Sequence, residues 1–186
     1  MVGYARRRRV GGLLVFVALI LVAAPAAGQG AGVPAAEFEV IWTGLLSTSQ
    51  APADDSQQLW LRGRGVDTVV ILDDAMIDVG RYGFDSFLWV PLGTGTVPTV
   101  VQAERFLTFI QQPDNQPAHI SGSLRAARAL LVALLRYAVD GWSLDDALRE
   151  AQRINLGSPL PPQMSAWLRA WAVPHPPGSY RRHLPG

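Results

Sequence analysis

The chain has 186 residues, 49% of them apolar, with six tryptophans and a formal net charge of +1. This suits one domain with a sizeable core and excludes a disordered chain, while the near-neutral middle leaves no electrostatic case for nucleic acid. Cysteine is absent, which excludes disulfides, thiolate metal sites and thiol catalysis.

Arg6 to Arg9 form a basic cluster, residues 11–24 an apolar run, and Ala24-Pro25-Ala26 with Ala27-Gly28 a small-residue cleavage region. Basic, apolar and small in that order predict a secretory signal peptide over residues 1–28. The apolar run is short against the roughly 20 residues of a stable span. The expected mature protein is therefore exported, periplasmic or extracellular, and would meet a membrane only through an uncleaved leader.

Residues 38–43 read as a strand, followed by a loop from Gly44 to Ala53. Asp54, Asp55 and Ser56 cap a short helix through Leu59, Trp60 and Leu61, which Gly63 and Gly65 stop. Val66 to Leu72 is β-branched and apolar enough for a strand buried on both faces. Residues 73–85 read as irregular and residues 86–91 as a third strand. Val100, Val101, Phe106, Leu107 and Ile110 recur at helical spacing, and Pro113 to Gln116 end that helix.

Ala118 to Ile120 then run as an extended piece into a tight Ser121-Gly122-Ser123 turn. The turn opens a helix apolar nearly all round, which marks it as buried. Small residues at a helix start, with the macrodipole and Arg125 beside them, form a candidate anion cradle. An ordinary turn with a solvated arginine is the plainer reading of the same residues. Gly141-Trp142 ends this helix, and Ser143 with Asp146 starts another through Ile154. Pro161 and Pro162 open a last helix through Trp171.

The predicted fold is thus α/β: a central, mostly parallel sheet of four or five strands flanked by helices. One domain is expected over residues 36–173, with a disordered, proline-rich tail from 174 to 186. In such a sheet a ligand lies beyond the carboxyl ends of the strands, which is where residues 121–125 would fall.

In this order and spacing the layout resembles the cysteine-dependent dual-specificity and tyrosine phosphatases, particularly their compact bacterial branch. The likeness covers roughly residues 38–155. It rests on Leu61-Arg62-Gly63-Arg64-Gly65-Val66-Asp67-Thr68-Val69-Val70-Ile71-Leu72, on Val90-Pro91-Leu92, on the turn before the buried helix, and on Arg136-Tyr137 to Gly141-Trp142-Ser143-Leu144-Asp145-Asp146-Ala147-Leu148. The resemblance implies a tyrosine phosphatase-like fold. It also implies a loop of cysteine, five residues and arginine in which a thiolate attacks phosphorus and the loop holds the phosphoryl oxygens.

Two registers of that loop fit. In the preferred one His119 stands at the cysteine position, Gly122 at the loop glycine and Arg125 at the phosphate-binding arginine. In the other Ser121 takes the cysteine position and Ala127 the arginine. Neither restores a thiol, and the loop from Gly93 to Pro98 lacks the carboxylate that the family often uses as general acid. Asp73, Asp74 and Asp85 read as turn residues.

The expectation is an exported phosphatase-like protein without phosphatase catalysis. It would hold a phosphorylated or other anionic ligand at Ser121, Gly122, Ser123 and Arg125, or act as a module for a protein partner. The alternative is an active phosphoester hydrolase with His119 or Ser121 as nucleophile. Three scattered histidines without a spaced carboxylate partner give no metal site, and no cofactor is expected. Arg128, Arg136 and Arg149 read as helix-surface charges and the tryptophans mostly as core.

Overall fold

The computed structural model of the chain describes residues 33–74 and 83–181. The predicted leader, residues 1–28, lies outside these residues. None of the described helices is long and apolar enough to cross a membrane.

Five strands form one sheet: β1 (Glu39–Trp42), β2 (Leu46–Ser49), β3 (Thr68–Ile71), β4 (Ser86–Trp89) and β5 (Ala118–Ser121), in the order β1-β2-β5-β3-β4. The β1–β2 pair is antiparallel and the other three pairs are parallel. The predicted α/β architecture, with its mostly parallel sheet, is the one observed.

The helices are α1 (Asp55–Gly63), α2 (Val100–Ile110), α3 (Arg125–Ala138), α4 (Leu144–Ile154) and α5 (Pro162–Ala172). Their starts follow from local chemistry. The Asp54 side chain accepts the Gln57 amide, Thr99 and Gln102 cap each other, and Ser143 accepts the Asp146 amide.

Side-chain alternation along the strands divides the core in two. Val70, Leu72 and Ile120 pack with Phe106, Leu107, Leu131, Leu134, Ala151 and Leu168, so α2 to α5 cover that face. Val69 packs with Leu61 and Phe84 beneath Phe38 and Trp60, so α1 covers the other. Helix α3 lies at the centre, with every residue from Ala129 to Leu135 fully buried.

Three expectations need correction. The loop predicted from Gly44 to Ala53 contains β2: Gly44, at φ 73°, turns the chain back on β1, and Leu46–Ser49 pair with β5. Residues 174–181 are ordered, unlike the disordered tail expected from Pro174. The Gly178 amide donates to Tyr137 O at 2.9 Å, and His175 and Tyr180 pack on the Trp171 ring. The tryptophans are also less buried than expected. Trp171 is buried, whereas Trp89 and Trp142 are exposed, because β4 is an edge strand and Trp142 caps Arg136 from outside.

Candidate functional site

Parallel pairing of β5 between β2 and β3 aligns three strand ends, and the chain leaves β5 at Ser121 to enter α3 through Gly122, Ser123 and Leu124. This junction is the predicted site. A Cβ on Gly122 would meet the Leu72 Cβ at 2.9 Å, so β3 approaches the turn too closely for any larger residue.

The turn's polar groups are engaged within the chain. The Gly122 amide donates to Ser49 O at 3.4 Å, and the Ser123 amide donates to the Asp73 carboxylate at 2.9 Å, with the Ser123 hydroxyl also on it at 3.3 Å. Asp73 is therefore more than a turn residue. It carries a negative charge onto the N-terminal end of α3, where the helix dipole favours one.

Arg125 lies in the first turn of α3, as the sequence predicts, but it is not a solvated side chain. It pairs with one carboxylate oxygen of Glu37 while Arg128, one turn on, pairs with the other. Arg128 is not a helix-surface charge either, being only 1% exposed. Burial, with Arg125 adding like-charge repulsion, lowers its pKa to about 10, which still leaves the guanidinium charged at neutral pH. Arg136 departs from the expectation as well. It is largely buried, donates to Asp140 at 2.7 Å and to Ile41 O at 3.0 Å, and lies under Trp142. Arg149 is exposed as predicted.

His119 sits in the middle of β5, two residues before the strand ends, and is fully buried. Its Nδ1 lies 2.8 Å from the Ser47 hydroxyl and its Nε2 2.8 Å from the Ser49 hydroxyl, with Phe38 stacked over the ring. Ser49 already donates to Gln50 O at 2.7 Å, so it accepts from His119. That assigns the Nε2–H tautomer, with Nδ1 accepting from Ser47. Burial first, and the charge of Arg128 second, push the His119 pKa down to about 3. The ring is neutral, with both nitrogens used and neither reachable by a substrate. The register that starts the loop at His119 conflicts with this placement, since pairing with β2 and β3 continues through Ser121. The turn itself begins only after Ser121.

Ser121 is itself buried at the strand end. It shares a sheet face with His119, whose nitrogens are both committed, so among the described residues no free imidazole is placed to activate it. Among the described residues no cluster of histidine, aspartate and glutamate suits a metal ion.

Glu37 and the inward turn of Arg128 leave no signal in the local sequence. Arg125, Arg128, Glu37 and Glu39 line a cleft of about 370 Å³ with Thr48, Arg153 and Ile154. A larger, more open recess of about 650 Å³ runs along α4 from Trp142. Its charged groups pair with one another along the helix, Asp146 with Arg149 and Glu150 with Arg153.

No protein-family model and no curated protein matches the sequence. Solved structures do match the fold. The core catalytic domain of the PP-IP phosphatase SIW14 from S. cerevisiae, in complex with citrate, superposes with a TM-score of 0.64 at 15% identity, over 75% of this chain and 88% of that one. Tk-PTP in its active form gives 0.60 at 25% identity, over 73% and 95%. A putative phosphatase (DUF442) from Shewanella putrefaciens CN-32 gives 0.58 at 15%, over 76% and 95%. The chain has the fold of these phosphatases and no cysteine with which to run a thiolate mechanism.

Proposed function

We propose that this chain is an exported, phosphatase-like binding protein that holds a phosphorylated or other anionic ligand at the start of α3 without hydrolysing it. One observation carries the reading: Arg125, on the first turn of α3, already grips a carboxylate. A carboxylate–guanidinium pair at a helix N-terminus is the interaction an anionic ligand would make there. Loss of catalysis is supported by the missing thiol and by the sealed, neutral ring of His119. The SIW14 core holds citrate, an anion, on the same fold. Export rests on the basic, apolar and small order of residues 6–28.

Thermal unfolding with and without inorganic phosphate tests the reading, because a ligand that binds only the folded state raises its midpoint. The parent midpoint should rise and that of Arg125→Ala should not. Equal midpoints in the parent would remove the anion site and leave the protein-partner reading. Hydrolysis of a chromogenic phosphoester, lost in Ser121→Ala, would support the hydrolase instead.

A further inference from the structure

The cleft beside α3 holds more donor capacity than its internal carboxylate uses. Glu37 places one oxygen on Arg125 and one on Arg128. Each guanidinium has five N–H donors, and the Arg128 Nε is buried with no hydrogen-bond partner among the described residues. A buried donor left unsatisfied is unfavourable, and here it belongs to a side chain that lines the cleft. Arg153 forms another wall, held there by Glu39 and by a fork on Glu150 at 2.7 and 3.0 Å.

The Glu37 side chain is 32% exposed, so rotation about its own bonds can carry it into solvent. Arg128 lies beneath it, 2% exposed at the side chain and fixed by the buried helix, so the site stays formed when Glu37 moves. Glu37 is tethered, and its high effective concentration lets it outcompete a free carboxylate of the same chemistry. A phosphate group differs: it carries more charge and three acceptor oxygens, enough to span both arginines and take further N–H donors of their guanidinium groups.

We propose that the cleft bounded by Arg125, Arg128 and Arg153 is a phosphate site, for the free ion or a phosphomonoester, in which Glu37 stands in for the ligand and swings out to admit it. This rests on the anion-binding reading above and adds its ligand class and its gate.

Calorimetric titration of the full chain with inorganic phosphate, phenyl phosphate and acetate tests it. Glu37→Gln should bind phosphate about tenfold more tightly than the parent, because the closed state no longer competes. Arg128→Lys, which keeps the charge and loses the planar donors, should bind about tenfold more weakly. Acetate should not bind the parent. Phenyl phosphate binding at least as tightly as phosphate assigns the ester, and phosphate binding alone assigns the free ion; either result supports the site. If Glu37→Gln does not fold, Glu37→Asp, too short to span both arginines, should shift affinity in the same direction. Equal affinity in the parent and the Glu37 variant, with binding lost in Arg125→Ala, would overturn the gate and leave the anion reading intact. No phosphate binding to either protein would end both.

Discussion

The Asp73 carboxylate accepts the Ser123 amide at 2.9 Å, so the chain's own acid, arriving from the end of β3, caps the turn expected to cradle an anion. Asp73→Asn keeps an acceptor and removes the charge. Stability should fall by about 0.5–1.5 kcal/mol in urea denaturation as a charge-assisted bond weakens. Phosphate affinity should rise by roughly threefold, since a like charge at this helix end is worth about 0.3–1 kcal/mol. Unchanged affinity would mean that the turn takes no part in binding.

Gly122 owes its identity to Leu72. At 2.9 Å from the Leu72 Cβ, an added methyl forces β3 and the turn apart. Gly122→Ala should therefore cost about 1–3 kcal/mol by overpacking. Paired with Leu72→Gly, which removes the obstructing Cβ, it should cost less than the sum of the two changes. Additive costs would show that the contact does not exist in solution.

His119 gives stability a pH dependence with a definite sign. Its folded pKa of about 3 lies below the 6.5 of the free side chain. Between those values the unfolded chain binds a proton that the folded chain refuses, so stability is full above the upper value and falls as pH drops through the window. The slope approaches about 1.4 kcal/mol per pH unit. His119→Gln should flatten the loss of urea stability between pH 6.5 and about pH 5. Equal slopes in both proteins would show that the ring protonates in place.

Removing residues 174–186 tests the ordered part of the tail. The Tyr137 hydroxyl would lose its 2.8 Å bond to His175 O, and Trp171 would lose the His175 and Tyr180 rings packed on it. The denaturation midpoint should fall and the tryptophan emission should shift to the red. A truncated chain as stable as the parent would make these contacts energetically silent.

Much of the fold was legible because β3, β4 and the helices carry one clear period each, and their caps lie in the sequence. Strand β2 was not. Its Leu-Ser-Thr-Ser puts serines where an apolar residue would announce a buried strand, because Ser47 and Ser49 satisfy the two nitrogens of a histidine 70 or more positions away. Arg128 was hidden for a similar reason. Arg125 and Arg128, one turn apart, look like a solvated face, and the acid that draws both inward stands 88 and 91 positions earlier. The tail's prolines spoke for disorder, whereas Gly178 and Arg181 spend their polar groups on the end of α3. Pairings of this length leave no local pattern to read.

Equilibrium dialysis of the parent and Arg125→Ala against phenyl phosphate, with phenol and free phosphate measured in both chambers, separates binding without turnover from hydrolysis. The parent should retain the intact ester saturably, Arg125→Ala should retain none, and phenol should not rise above the buffer control. Phenol accumulating over many turnovers, and ceasing in Ser121→Ala, would contradict binding without turnover and make the protein a hydrolase.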